Sequence, residues 1–331
     1  MGVQFGGIIK GKEIEIESLR GRKIAIDAFN TMFQFLTTIR DRETGEPLKD
    51  SHGFVTSHLS GLLYRTTKFI EAGIKPVYVF DGKRPEFKYV SAERAIVREA
   101  ARVRWHEHME KGETEEGFKA AKMSATINQE MIDHAKKLLE YMGVPVIQAP
   151  SEGEAQCAWM CANGEVWASA SQDWDSIIFG SPRFIRNLSI SGKRRSPKTG
   201  AYFELKPEVI ESKQVFASLG LTREQMIVMA MLMGTDFNEG VEKYGPKRSL
   251  ELVKKEKPKE IISKFNLPEN VYEFFLNPPH AESKIEEKEL QPDKIMKLMV
   301  DEHEFSRERI EKVIDTLKRT GGTNVLSKWL K

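Results

Sequence analysis

Lys23-Ile24-Ala25-Ile26-Asp27 and Pro76-Val77-Tyr78-Val79-Phe80-Asp81 are short apolar runs that each end on a carboxylate. A third run, Val166-Trp167-Ala168-Ser169-Ala170-Ser171, leads into Gln172-Asp173-Trp174-Asp175. A fourth, Val144-Pro145-Val146-Ile147, leads through Ala149-Pro150-Ser151 into Glu152-Gly153-Glu154. Short apolar runs rich in β-branched residues read as strands buried on both faces, as in a parallel sheet. Segments of helical periodicity separate them, the alternation of an α/β domain. In such a sheet, groups just past the carboxyl ends of the strands share one edge. The pattern predicts a mainly parallel central sheet flanked by helices, with Asp27, Asp81, Glu152, Glu154, Asp173 and Asp175 gathered at that edge.

A single aspartate after a strand is ordinarily a helix cap or a turn former. Turn formation does not require the pairs Glu152-x-Glu154 and Asp173-x-Asp175. Clustered carboxylates repel one another unless protons or cations neutralise them. All-oxygen donors without grouped His or Cys suit hard ions such as Mg2+ or Mn2+ rather than Zn2+. Two such ions about 4 Å apart can serve phosphodiester hydrolysis.

Bulk properties set the surroundings of this chemistry. The 331 residues are 40% hydrophobic and 30% charged, which suits a globular chain and excludes a disordered one. Basic and acidic side chains nearly cancel at 51 and 49, so a nucleic-acid surface has to come from local patches. Cys157 and Cys161, four apart on one predicted helix, read as packing residues. Nothing in the hydropathy indicates a membrane span or an export signal, and the expected location is cytoplasmic.

Two basic features follow the acidic ones. Between Lys83 and Arg104, Arg94, Arg98 and Arg102 recur every four residues, forming one stripe on a helix just after the strand that delivers Asp81. A stripe of this kind suits a phosphate backbone, although a solvated helix face would look the same. Lys193-Arg194-Arg195 with Lys198 is a second basic cluster, expected in a Ser, Gly and Pro rich turn, and reads equally as a solvated hairpin tip. Further on, Met231-Leu232-Met233-Gly234-Thr235-Asp236 and Gly245-Pro246-Lys247-Arg248 predict helix, turn and helix. Gly-Pro opening a helix leaves backbone N–H groups free for a phosphate, with Lys243, Lys247 and Arg248 adding charge.

Taken in order, Ile26-Asp27-Ala28, Val79-Phe80-Asp81-Gly82-Lys83, Glu152-Gly153-Glu154-Ala155, Ser171-Gln172-Asp173-Trp174-Asp175-Ser176 and Gly234-Thr235-Asp236 resemble the archaeal and eukaryotic flap endonucleases of the structure-specific 5′-nuclease superfamily. The likeness runs almost end to end and includes Thr56-Ser57-His58-Leu59-Ser60-Gly61 and Gly73-Ile74-Lys75-Pro76. It implies two Mg2+ ions, with Mn2+ as a substitute: Asp27, Asp81, Glu152 and Glu154 for the first, and Asp173, Asp175 and Asp236 for the second. It implies a catalytic role for Lys88 and an arch arginine at Arg94 or Arg98. Phe33 stands in the place of a stacking Tyr, and Arg65 in the place of a residue that holds a short 3′ flap. The resemblance further implies one nuclease domain over 1–320, with a helical arch at about 83–125 and a helix-hairpin-helix at about 224–259.

A tail over 321–331 is similar to the family's sliding-clamp peptide, with Leu326, Trp329 and Leu330 as contacts; Thr323 replaces its Gln and Leu330 its final aromatic. The family's helix-hairpin-helix carries a backbone-held K+, and Lys243 and Tyr244 replace the Gly and Ile of that motif. The implied activity is cutting of 5′-flap DNA in replication and repair by a monomer, nuclear if the source is eukaryotic. The alternatives are a related 5′-exonuclease or bubble-cutting nuclease, and a non-catalytic DNA-binding scaffold.

Overall fold

The computed structural model describes residues 3, 5, 7–41, 43–87, 100–101, 104, 125–195 and 201–326, and side chains at 193–195 and 321–326 are outside that description. Lys88, Arg94, Arg98, Trp329 and Leu330 lie outside the described residues, as does most of the expected arch.

The sheet is built around β2 (Lys23–Asp27), which pairs in parallel with β3 (Lys75–Phe80) on one side and β5 (Ala168–Ala170) on the other. β4 (Val146–Gln148) extends it in parallel beyond β3, and β6 (Arg183–Arg186) beyond β5. Two antiparallel strands, β9 (Glu208–Glu211) and β1 (Lys12–Glu13), close the far edge, giving the order β1-β9-β6-β5-β2-β3-β4. The chain therefore changes direction across the sheet at β2. The carboxyl end of such a strand is where an open α/β sheet leaves a crevice.

Both faces of the sheet are covered. Ile24, Ile26, Tyr78 and Phe80 point to one core, while Ala25, Val77 and Val79 alternate to the other face. The first core is roofed by α1 (Ala28–Thr38), α2 (Ser57–Glu71), α3 (Gln129–Tyr141), α11 (Pro292–Met296) and α12 (Arg307–Leu326). On α1, Ala28, Met32, Phe35 and Leu36 recur at helical spacing and are buried. The other face takes α4 (Gly153–Ala162), whose Cys157 and Cys161 are buried free thiols packed with Met160. This agrees with their expected packing role.

Helix α2 approaches α1 at Gly61, where a Cβ would stand 2.1 Å from the Phe35 ring. The ring is buried and cannot yield without disturbing the α1–α2 contact. Gly61→Ala is expected to lower stability by about 1–3 kcal/mol, an overpacking cost. A chemical-denaturation midpoint at or above that of the parent chain would refute this account.

A further core holds α5 (Asp175–Ile178), α6 (Ser212–Leu219), α7 (Arg223–Met233), α8 (Pro246–Lys255), α9 (Pro258–Lys264) and α10 (Glu269–Leu276). Thr222 caps α7 in a reciprocal box with Gln225, and every residue from Met226 to Leu232 is buried. A helix apolar all round belongs inside a core. Among the described residues no single helix is long and apolar enough to cross a membrane; α6 and α7 pass the composition test only as a pair bent by 80°.

Three expectations need correction. Lys193-Arg194-Arg195 lie in a strand, β7 (Gly192–Arg195), paired with β8 (Tyr202–Leu205), rather than in the turn; Lys198 lies outside the described residues. The extended backbone begins later than the apolar runs suggest, at Val146 and Ala168, because Val144 and Val166 are buried in the turns that enter those strands. At the other end of the chain the last helix continues to Leu326, so the segment from 321 begins as helix.

Candidate metal centre

Each acidic residue is delivered by a local structure with its own logic. Asp27 ends β2 and caps α1: its Oδ1 accepts from Asn30 N at 2.8 Å. The cap reading and the site reading are thus both true of this residue. Asn30 Nδ2 also donates to Asp173 Oδ2 at 3.0 Å, and Asn30 Oδ1 accepts from Gln34 Nε2 at 2.6 Å. One residue, through its main-chain N–H and its side-chain amide, therefore holds carboxylates that arrive from two strands.

Asp81 follows β3, and its Oδ1 accepts from Gly153 N at 2.7 Å. A Cβ at Gly153 would stand 2.8 Å from that same oxygen, so only glycine admits the carboxylate there. Gly82 is under a similar constraint, since a Cβ would fall 2.1 Å from Ala149 O. Gly82 N donates to Ser151 O at 2.6 Å and Lys83 N to Pro150 O at 3.1 Å, fastening the turn after β3 to the turn that carries Glu152. Glu152 is the N-cap residue of α4 and Glu154 lies in its first turn.

Ser171 donates its hydroxyl to Glu154 Oε1 and accepts from Asp173 N at 3.2 Å. Asp175 opens α5 and accepts from Val3 N at 2.8 Å. Asp236 comes from a different source. The turn after α7 is closed by Thr235 Oγ1 donating to Asn238 Oδ1 at 2.8 Å and by Asn238 Nδ2 donating to Met231 O at 2.7 Å, and Asp236 sits within it.

The electrostatics show which groups face one another. Burial pushes Asp27 well above the usual carboxylate range, and the charges of Asp81, Asp173 and Glu152 push it further. Glu154 is raised by burial and by Asp175, Asp173 and Asp27. Burial, Asp173 and Asp236 carry Asp175 to about 7, against the N–H of Val3. Through these pairs Asp27, Asp81, Glu152, Glu154, Asp173, Asp175 and Asp236 form one electrostatic cluster. The Cys157 thiol beneath it is raised by burial and by Asp27, Glu154 and Asp81, which makes it inert as a nucleophile.

Among the described residues no three His, Cys, Asp or Glu side chains stand in ligating geometry around one point. The fit to cations is one of donor chemistry and charge. The upward shifts of Asp27, Glu154 and Asp175 mark a site short of positive charge, and every donor is oxygen. A cation that replaced the protons would relieve the repulsion that raises these groups.

Past the turn that holds Asp236, Gly245 is the N-cap of α8, with Pro246 at its first position. A Cβ at Gly245 would meet nothing within 4 Å, so the first-turn N–H groups are approachable. Lys243 has a left-handed backbone, φ 67°, and the Arg248 guanidinium lies 4.6 Å from the centre of the Tyr244 ring. The two residues that depart from the family motif thus form a turn of their own, braced by Tyr244 on Phe265.

Arg65 Nη2 donates to Leu188 O, Ser191 O and Ser191 Oγ, tying α2 to the turn before β7. Phe33 is half-buried on α1. The roles of Asn30, Ser171 and Gly153 in holding the carboxylates in place escaped the sequence reading. Asn30, three residues after Asp27 at the start of a helix, was the one visible signal.

The chain matches the XPG N-terminal domain over residues 1–102 and the XPG I-region over 143–236. It is 49% identical to flap endonuclease 1 of Pyrococcus furiosus, covering 100% of both chains. The chain belongs to the flap endonuclease 1 family. A flap endonuclease 1 from Staphylothermus marinus is 48% identical, with 96% of this chain and 93% of that protein covered. The solved flap endonuclease-1 from Methanococcus jannaschii superposes with a TM-score of 0.78 at 35% identity, covering 98% of this chain and 100% of that one. The catalytic core of Rad2 in complex with DNA substrate shares the fold, with a TM-score of 0.67 at 22% identity, covering 93% and 96%. Flap endonucleases of this family are metal-dependent nucleases, which is the chemistry that the carboxylate cluster suits.

Proposed function

We propose that this chain hydrolyses DNA phosphodiesters near the junction of a 5′ flap with duplex, in replication and repair. The observation that carries the reading is the joining of seven carboxylates from β2, β3, α4, the β5–α5 turn and the α7–α8 turn into one cluster at the switch point of the sheet. Two Mg2+ ions, with Mn2+ as a substitute, held by Asp27, Asp81, Glu152 and Glu154 and by Asp173, Asp175 and Asp236, would supply an activated water and a charge sink for the leaving oxygen.

The protein's own groups do the remainder. Asn30, Ser171 and the Gly153 N–H hold the carboxylates in fixed orientations. The α8 N-terminus, with Lys243, Lys247 and Arg248, grips the backbone of the duplex without reading sequence. Lys88 and an arch arginine, Arg94 or Arg98, stabilise the charge that develops on the phosphate. Phe33 stacks on a base, and Arg65 supports a short 3′ flap through the turn that it orders. The same centre would shorten a recessed 5′ end. The tail from 321 to 331 would engage a sliding clamp, and the enzyme would act as a monomer in the cytoplasm.

The test is labelled 5′-flap DNA with and without a chelator: cutting near the junction with Mg2+, and none once the ion is removed. Indifference to the chelator would refute the metal reading. Lys88→Ala is expected to slow single-turnover cutting by about 10²–10³-fold, as for loss of one charge-stabilising donor. Binding should change far less, because backbone affinity is shared among many contacts. Equal losses in rate and affinity would remove Lys88 from the chemistry.

A further inference from the structure

A cleft of about 450 Å³ opens at the Asp81 end of the carboxylate cluster, with Phe29, Arg84, Asn128, Lys136 and Gln148 among its lining residues. That volume falls within the roughly 300–1,000 Å³ common for small-ligand sites. The sheet order gives the cleft a direction. From β4 to β5 the strand ends present Gln148, Asp81, Asp27 and Asp173 in turn. Asp236 adjoins Asp175 on the β5 side, and its turn leads on to Gly245, the N-cap of α8 that is read above as a backbone grip. A strand gripped there and crossing the carboxylates arrives at the cleft with the nucleotides that follow.

The lining suits those nucleotides. A polyanion that crosses seven carboxylates needs cations on the far side as well as the near one. Lys136 Nζ donates to Gln148 Oε1 at 2.7 Å and stands 5.1 Å from the centre of the Phe80 ring. Gln148 Nε2 donates in turn to Asp81 O at 2.6 Å and Phe80 O at 3.2 Å. The ammonium is thereby fastened to the strand end that carries Asp81, and less of its rotamer freedom remains to be lost on binding. Arg84, on the exposed lip, is a second cation, and Phe29, edge-on to Phe80 at 6.2 Å, gives the wall a ring.

We propose that this cleft is a subsite for one nucleotide of the single-stranded arm, with Arg84 and Lys136 taking its phosphate and Phe29 facing its base. The proposal rests on the nuclease reading above. Stacking of this kind tolerates any base, as an arm of arbitrary sequence requires.

The experiment compares the parent chain, Lys136→Gln, Lys136→Arg and Arg84→Gln on 5′-flap DNA and on nicked duplex without an arm. With Lys136→Gln or Arg84→Gln, KM for the flap is expected to rise about tenfold more than for the nick, with little change in kcat. The slope of log affinity against log salt for the flap should fall by about 0.7, one single-strand phosphate contact. Lys136→Arg should restore most of both. Equal effects on the two substrates, or an unchanged salt slope, overturn the subsite. Because Arg84 is exposed, its variant separates a loss of contact from a loss of fold. A parent chain that fails to cut flap DNA overturns the nuclease reading itself, an outcome distinct from variants that cut as the parent does.

Discussion

Asp173→Asn is expected to leave a folded protein that binds flap DNA and cuts it at least about a thousandfold more slowly. Asp173 is the hub of the cluster: its charge raises Asp27, Glu154 and Asp175, and its Oδ2 accepts from Asn30. Exchange for an amide keeps the shape and removes the charge around which the other carboxylates are balanced. Loss of charge stabilisation at a metal-dependent phosphodiester centre amounts to several kcal/mol, and each 1.36 kcal/mol is about tenfold in rate. Stability should hold or rise, since a repulsive charge has left the interior. Single-turnover cutting, DNA anisotropy and thermal melting together check this. Parent-like cutting would break the assignment of this carboxylate to the metal centre.

Without divalent ions, the protein should melt several degrees lower at pH 8 than the variant Asp175→Asn, which lacks one charge of the cluster, and the gap should close toward pH 4. Asp175 is a carboxyl carried from an ordinary 3.8 to about 7, so the folded state keeps a proton that the unfolded chain releases. Over that window the unfolded state binds fewer protons, and stability falls as pH rises. Above about pH 7 the loss is complete, on the order of 4 kcal/mol for this group. Asp27 and Glu154, also raised, act in the same direction.

His58 opposes them. Buried in α2 and held down to about 3, it contributes stability above pH 6.5 that is lost as pH falls toward 3. The parent's pH profile mixes these slopes, and the difference between the parent and Asp175→Asn removes that of His58 and leaves that of Asp175 together with the part of the Glu154 shift that Asp175 causes. Added Mg2+ should raise the parent's melting temperature more at pH 8 than at pH 5, where a proton on Asp175 competes with the ion. A parent-minus-variant difference that is flat with pH would show that the Asp175 carboxyl is not held protonated by its surroundings.

The parallel part of the sheet was legible because β2, β3 and β5 are buried on both faces, and burial on both faces writes a continuous apolar run into the sequence. β9 and β1 were not: the edge strand Lys12–Glu13 is two exposed charged residues, and Glu208–Glu211 has a glutamate at each end with only Ile210 buried, so neither holds such a run. Six carboxylates were legible as strand-end groups. Asp236 was not, since it is positioned by side-chain bonds of Thr235 and Asn238 that leave no periodic trace. Val3 on Asp175 and Asn30 on Asp173 join segments far apart in the chain, and local pattern carries no record of such pairings. The basic hairpin was misread because Ser, Gly and Pro around Lys193 signal a turn equally well when short strands flank it.

The scatter of the acidic residues along the chain has a consequence for synthesis. Asp27 leaves the ribosome early, but the set is complete only after the turn that holds Asp236 has emerged and docked through α7. A chain stalled before that turn lacks both Asp236 and the α8 grip that follows it, and never holds the full set of carboxylates. Contacts of such long sequence separation form late in folding. Assembled in this order, the carboxylate centre stays incomplete until its last essential segment has closed.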